Sequence, residues 1–364
     1  MALTKRPPPR SEGCSFAAKR RCGDEAPAAG IAPSAPKSGQ RGVPMDSGAA
    51  AARNDDGLRI GTLKSYKLLP KIGNGAFGVV RKACDCRTGE KVAIKSVRTG
   101  GEALLREAAM LVACAGNPTV VELREVARHE ETDELHLVME YVGLSLYDVT
   151  VARRRVGRPF TEKEVRHVMR RLLGGVETMH GHDVIHCDLK PGNILVGKED
   201  GRGRLIKICD LGLSRSMTAP PPDTTQLEGT LWYMAPEQLL GDKDIGAPID
   251  LWALGCVMAE LVSGKPIFQE YSVHEQVGKI INVLGVPDEM SLMPLGVAAS
   301  TPSQLRAVVP DERLSLAGFD VLHGLLEFDP KARLTANAAL RKPWFAVKDD
   351  DWRRSISSKA LKLQ

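Results

Sequence analysis

A carboxylate, an ammonium group and an amide converge in one short stretch of this sequence, Val184-Ile185-His186-Cys187-Asp188-Leu189-Lys190-Pro191-Gly192-Asn193-Ile194-Leu195-Val196. The aliphatic, β-branched runs on both sides predict short buried strands, and Pro191-Gly192 forces a turn between them. Such a loop would hold Asp188, Lys190 and Asn193 rigidly at the mouth of a dry cleft. Phosphoryl transfer needs that arrangement, because it is carried by positioning and charge neutralisation rather than by covalent chemistry of the protein. By itself the stretch reads equally as a solvated turn. The chemistry is predicted only if its partners follow in order elsewhere.

Composition narrows the class. A chain of 364 residues suits a two-lobed domain of about 250–300 residues plus a tail. Apolar content of 43% against 26% charged is ordinary for a soluble protein, and 4% aromatic residues predicts a largely aliphatic core. No run approaches the ~18–20 apolar residues of a membrane span, and the N-terminus lacks a secretory apolar region, so no membrane partner is expected. The eight cysteines show no framework spacing, and Cys84-x-Cys86 lacks the second pair that a zinc site needs. Reduced thiols in the nucleus or the cytoplasm are expected. A net charge of +5 is too small to predict nucleic-acid binding. Residues 1–57 are rich in Ala, Pro, Gly, Ser and Arg and are expected to be disordered. Their basic clusters, Lys5-Arg6 and Lys19-Arg20-Arg21, read either as a nuclear-import signal or as scattered solubilising charge.

Several further elements would have to position the loop and a substrate, with order beginning near Tyr66. Ile72-Gly73-Asn74-Gly75-Ala76-Phe77-Gly78-Val79-Val80 has the spacing G-x-G-x-x-G-x-V between strand-like runs. Its glycines let the backbone approach a polyphosphate, and Phe77 can cap the loop. A Rossmann turn has similar glycines but needs a helix directly after them, whereas Val79-Val80-Arg81-Lys82-Ala83 continues as strand. Val92-Ala93-Ile94-Lys95 reads as the next strand, Glu102 to Ala113 as a helix, and Leu135 to Val142 as a strand plus a hinge. Thr161-Glu162-Lys163-Glu164 is a capping box opening a helix that carries Val165, Val168, Met169, Leu172, Leu173 and Val176. The arginines beside it (Arg153-Arg154-Arg155, Arg166, Arg170 and Arg171) predict a solvated basic face, with a docking patch for acidic substrates as the minority reading. Asp250 to Leu261 is apolar nearly all round, as a central core helix would be.

Taken in order, these residues resemble the eukaryotic protein kinases. The loop is similar to the family pattern His-Arg-Asp-Leu-Lys-Pro-x-Asn, with Cys187 in place of Arg. The resemblance implies an α+β bilobal fold over 66–345, with a small β-rich lobe (about 66–140), a large helical lobe (about 143–345) and a polar tail over 346–364. It implies that Asp188 accepts the proton of the substrate hydroxyl, that Lys190 steadies the γ-phosphate, and that Asn193 holds Mg2+. Asp210, in the Asp-Phe-Gly position with Leu211 for Phe, would hold the Mg2+ that bridges the phosphates. Lys95 would grip the α- and β-phosphates and pair with Glu107, with Glu102 as the competing candidate. ATP would lie against the loop Ile72, Gly73, Asn74, Gly75, Ala76, Phe77, Gly78, Val79 and Val80 and against Ala93. Met139 would close the back of the adenine pocket, and Glu140 to Val142 would hydrogen-bond the base through the backbone. The family's apolar stack corresponds to Leu111, Leu123, Leu211 and His186. Glu237 of Ala235-Pro236-Glu237 is expected to pair with Arg333, and Asp250 to clamp the backbone of the catalytic loop.

Lys190 within Asp-Leu-Lys-Pro-Gly-Asn favours Ser/Thr over Tyr acceptors. Thr230-Leu231-Trp232-Tyr233, Gly264-Lys265-Pro266-Ile267-Phe268 and Leu284-Gly285-Val286-Pro287-Asp288-Glu289 resemble cyclin-dependent kinases, and the short helix with the Arg- and Ala-rich character resembles the plant F-type. The function implied is ATP-dependent phosphorylation of protein Ser or Thr. Of the cyclin-contacting motif only Arg106-Glu107 is present, which leaves a cyclin partner open. Ala76 and Phe77 replace the Thr and Tyr whose phosphorylation inhibits these enzymes. Thr225 has the spacing of the activating phosphothreonine, and of the three arginines that receive its phosphate only Arg106 and Arg215 have counterparts, Cys187 removing the third. Met234 replaces the Arg associated with proline-directed substrates, and proline direction stays open. The rival reading is a pseudokinase scaffold, motivated by Cys187 and Leu211. Retention of Lys95, Asp188 and Asp210 weighs against it.

Overall fold

The structure, a computed structural model, describes residues 59–75, 78–97, 101–199, 203–219, 227–243, 245–285 and 302–346. Ala76, Phe77, Thr225 and the tails expected over 1–57 and beyond Ala346 lie outside the described residues. Strands β1 (Ile60–Thr62), β2 (Tyr66–Gly75), β3 (Gly78–Asp85) and β4 (Lys91–Val97) precede helix α1 (Gly101–Ala113), and β5 (Leu123–Arg128) and β6 (Leu135–Glu140) follow it. The six strands form one sheet in the order β1-β5-β6-β4-β3-β2. Regular structure starts ahead of Tyr66, because Ile60–Thr62 pairs in parallel with Val126–Arg128. Three residues are too few to carry a period-two signal, so the sequence pattern does not announce them.

Alternation along the strands gives the sheet two apolar faces. Val92, Ile94, Ala83, Ala127 and Val138 close a small core with Tyr66 on one face. Leu137 and Met139 belong to the main core, together with Leu104, Ala108 and Leu111 of α1. That packing fixes α1 beneath the sheet and determines which of its residues can reach β4.

The helical part follows: β7 (Leu144–Ser145), α2 (Leu146–Arg155), α3 (Glu162–Gly181), β8 (Val184–Ile185), β9 (Ile194–Glu199), β10 (Arg204–Ile208), β11 (Arg215–Ser216), α4 (Pro236–Leu239), α5 (Pro248–Ser263), α6 (Val273–Leu284), α7 (Leu305–Val308), α8 (Leu316–Leu325) and α9 (Ala336–Leu340). Strands β10-β9-β7 form a small sheet, and β11 pairs with β8. The capping box at α3 is formed: Glu164 N donates to the Thr161 hydroxyl, and Thr161 N donates to the Glu164 carboxylate at 2.8 Å. Every residue of α5 from Ile249 to Val262 is buried, and Trp252 stacks on Phe268 at 5.8 Å. Each large apolar side chain so buried contributes about 1.5–3 kcal/mol, which makes α5 the mast of the domain.

Arg154 and Arg155 are exposed as expected of a solvated basic face, but Arg153, Arg166 and Arg170 form a packing seam instead. Arg166 lies over the Trp344 ring at 5.3 Å, and Arg170 donates to the Phe345 carbonyl at 2.6 Å. Arg153 grips Glu164 with two hydrogen bonds of 2.9 and 2.5 Å while lying over Phe160. Desolvated guanidinium groups of this kind carry packing as well as charge.

Arg333 makes the most enclosed ion pair among the described residues. Its side chain is fully buried, and it bonds Glu237 through Nη1 at 2.7 Å and Nη2 at 2.9 Å. Arg333→Met should therefore destabilise the domain by about 3–5 kcal/mol, since Glu237 is left buried without its partner. Adding Glu237→Gln should recover part of that loss, as measured by urea denaturation of the single and double variants.

Candidate active site

Lys95 is where the two lobes meet. On β4 its side chain points away from the Val92–Ile94 face, into the cleft, and only 5% of it is exposed. Nζ lies 2.7 and 2.6 Å from the Glu107 carboxylate oxygens and 2.5 Å from Asp210 Oδ1. Glu107 reaches it because helical spacing puts Leu104, Glu107, Ala108 and Leu111 on the buried side of α1. Glu102, the competing candidate, is exposed and faces Arg106 at 3.7 Å instead. Asp210 follows β10 with φ 65°, a left-handed turn that brings its carboxylate back toward the sheet. Burial opposes the charge on Lys95, but the carboxylates of Asp210 and Glu107 outweigh it and hold the ammonium above its usual pKa.

The catalytic loop is equally enclosed. Lys190 Nζ donates to Asp188 Oδ2 at 2.6 Å, and Asn193 Nδ2 donates to the Asp188 carbonyl at 2.9 Å and to Oδ2 at 3.1 Å. His186 accepts from Asp188 N at Nδ1 and meets the Cys209 carbonyl at Nε2, 3.1 Å away. This places the proton on Nε2 and ties the loop to the residue before Asp210. Thr230, read from sequence only as part of a subfamily motif, also belongs here. Its hydroxyl donates to Asp188 Oδ1 at 2.8 Å and accepts from Lys190 Nζ at 2.6 Å. Its position just before Ala235-Pro236-Glu237 was the available signal. A cavity of about 10 Å³, room for one water, lies among Cys187, Asp188, Thr230 and Met234, so two of the departures from the family pattern, Cys187 and Met234, border the same void.

The glycine-rich stretch is the β2–β3 hairpin, with Gly75 opposite Gly78. Gly78 has φ +148°, and a Cβ there would stand 2.0 Å from the Ser96 carbonyl, so no side chain fits. Gly73 and Asn74 sit on β2. Ile72 is exposed, Val79 and Val80 are half-buried on β3, and Val80 lies opposite Lys95. Ala93 pairs with Met139, which is buried, and Val142 is half-buried just beyond β6. The Glu140 peptide N–H already donates to the Glu122 carbonyl at 3.0 Å, so of the backbone groups expected to meet a base this N–H is engaged.

Among the described residues no three His, Cys, Asp or Glu side chains gather into a self-sufficient metal site. The donors at the cleft are the Asp210 carboxylate and the Asn193 amide oxygen. Hard and few, they suit Mg2+, which keeps waters and takes further oxygens from phosphates. Burial, with the Asp250 charge nearby, pushes the Cys187 thiol up to about 12, and burial pushes the Cys209 thiol up to about 12 as well. The arginines expected to receive a phosphate serve other partners. Arg106 faces Glu102, while Arg215 donates to the Ile245 carbonyl and bonds the Cys187 thiol.

Comparison with known proteins follows the same lines. The protein kinase domain pattern matches residues 66–345. A rice protein (Oryza sativa subsp. japonica) provisionally named cyclin-dependent kinase F-2 is 46% identical over 308 residues, which cover 79% of this chain and 91% of that relative. Cyclin-dependent kinase G-2 of Oryza sativa subsp. indica is 39% identical over 305 residues, covering 78% of this chain but 42% of the relative. Cyclin-dependent kinase B2-1 of Arabidopsis thaliana is 34% identical over 310 residues, 80% of this chain and 97% of the relative.

Asp250 holds the loop in place from α5. Its carboxylate accepts from His186 N at 2.9 Å and Cys187 N at 3.0 Å, and the His180 ring lies 2.9 Å away. Cys187 has φ 68°, a left-handed conformation costing about 1–3 kcal/mol, which the clamp offsets. Burial alone would raise the Asp250 pKa, but His180 and His186 outweigh it and hold the carboxyl below its usual range. Its contribution to stability is therefore complete above the unfolded value near 3.9 and is lost as pH falls through the lower folded value. Asp250→Asn should be less stable at neutral pH and should lose less stability than wild type below about pH 4. Urea melts across that range check it; parallel pH curves would contradict it.

Proposed function

This chain belongs to the protein kinase family and is a Ser/Thr kinase of the cyclin-dependent-kinase type, and from that premise we propose how its own residues carry the transfer from MgATP to a protein hydroxyl. The family acts on protein substrates and uses ATP and Mg2+. The observation that carries the assignment is Lys95 Nζ held between Glu107 and Asp210, with Asp188 already bonded to Lys190 within the loop that follows β8.

Lys95 would align the α- and β-phosphates, its charge secured by Glu107. Asp210 and Asn193 would hold magnesium, which when bound neutralises the phosphate oxygens. Asp188 orients the acceptor Ser or Thr hydroxyl and takes its proton as the new oxygen–phosphorus bond forms. The bond from the γ-phosphorus to the bridging β-oxygen breaks, and ADP leaves with that electron pair. Lys190 follows the moving group with its ammonium, and Thr230 keeps Asp188 and Lys190 in register meanwhile. Most of the acceleration then comes from positioning and fixed charge. A scaffold reading leaves the intact Lys95, Asp188 and Asp210 without a use.

Incubating the purified chain with labelled ATP and a generic basic protein tests the assignment, with label expected on Ser or Thr. Asp188→Asn should abolish labelling and keep nucleotide affinity, whereas Lys95→Met should impair both. Retained turnover in Asp188→Asn would remove Asp188 from its role. Regulation by Thr225 should be shallow, because Cys187 supplies no guanidinium and Arg215 is engaged elsewhere. Losing one such partner weakens a phosphate's hold by roughly 1–3 kcal/mol. Thr225→Ala should therefore cost less than ~100-fold in turnover, and a larger loss in steady-state assays would contradict this.

A further inference from the structure

Strand β10 is tied to the hinge side of the cleft at a second point that the transfer chemistry does not use. Three residues before Asp210, the Lys207 ammonium lies 2.5 Å from Glu140 Oε1 and 3.1 Å from the Val120 carbonyl. Glu140 Oε1 also accepts from Glu122 N at 2.8 Å. Both charged side chains are largely enclosed, 12% and 18% exposed, so this is not an ordinary solvated surface pair. Backbone bonds fasten the same place. Ile208 N donates to the Thr119 carbonyl, Val121 N donates to the Ile208 carbonyl, and Glu140 N donates to the Glu122 carbonyl. The connection 119–122, leading from α1 to β5, is thus stapled to β10 on one side and to the end of β6 on the other.

Lys95 and Glu140 lie on adjacent strands of the small-lobe sheet, where Lys95 is opposite Leu137 and Val92 is opposite Glu140. Asp210 holds the first strand and Lys207 the end of the second. One ion pair fixes a distance and leaves the partners free to pivot. Two, spaced along the same pair of strands, also fix an angle. We propose that Lys207 and Glu140 are a positioning pair that sets the hinge carbonyl, where a base is held, relative to the metal-holding Asp210. The pair closes a ring of contacts through Asp210, Lys95, Glu107, α1 and the 119–122 connection back to β10. It therefore acts on how well adenine and phosphates can be gripped together, more than on the transfer itself.

This rests on the reading that the hinge and Asp210 hold MgATP, and the test separates the two. Affinity for an ATP analogue is measured by calorimetry, and KM for ATP and kcat by steady-state assay, in wild type, Lys207→Met, Lys207→Arg, Glu140→Gln and the double variant Lys207→Met/Glu140→Gln. Lys207→Met and Glu140→Gln should each weaken nucleotide binding and raise KM about fivefold or more, with a smaller change in kcat. Lys207→Arg should restore most of the affinity, and the double variant should be no worse than either single one. Melting temperatures are recorded alongside. Falling stability with unchanged KM and affinity would reduce the pair to a structural brace and overturn the proposal, as would additive effects in the double variant. A wild-type chain that binds no ATP analogue would instead sink the underlying reading.

Discussion

One ammonium group, Lys95 Nζ, holds carboxylates from two separate elements within 2.7 Å, and nearly everything else serves to make that contact possible. An ion pair so enclosed is costly to assemble unless its geometry is enforced, because each charge has been taken out of water. The enforcement is visible in the packing. Leu104, Ala108 and Leu111 press α1 against the sheet so that Glu107 faces β4. The left-handed backbone at Asp210 then turns the other carboxylate inward.

The catalytic loop obeys the same logic from the opposite side. Its anchor is a buried carboxylate on α5, and that charge persists among apolar neighbours because it accepts from two backbone N–H groups and meets two histidines. Replacing the family's arginine by Cys187 has not released the loop. The backbone N–H groups of His186 and Cys187 still bind Asp250, and the thiol shares Arg215 with the Ile245 carbonyl. The loop is thus held by main-chain donors that the change from arginine to cysteine leaves in place.

Much of this was legible in the sequence, and the parts that were share a cause. Glu107 is preferred to Glu102 because Arg106-Glu107 followed by Leu111 fits the family resemblance, and it is Glu107 that lies on the buried side of α1. The pairing of Glu237 with Arg333 and the clamp by Asp250 followed from a resemblance whose motifs appear in order. What stayed hidden depended on partners with no local pattern. The α3 arginines look solvated until Trp344 and Phe345 arrive, and Glu162 bonds the Trp344 indole across 182 positions. Thr230 is an unremarked hydroxyl until the backbone fold lays it between Asp188 and Lys190. The engaged N–H of Glu140 could not be read at all, since it is decided by a loop pairing rather than by residue type.

The two thiols beside the cleft have a bearing on how the molecule meets its surroundings. Cys187 precedes Asp188 and Cys209 precedes Asp210, and burial holds both thiols well above their usual pKa. Sulfur reacts with peroxides and electrophiles as thiolate. Two sulfur atoms beside the cleft are thereby poor nucleophiles near neutral pH, so peroxides and electrophiles meet little thiolate there.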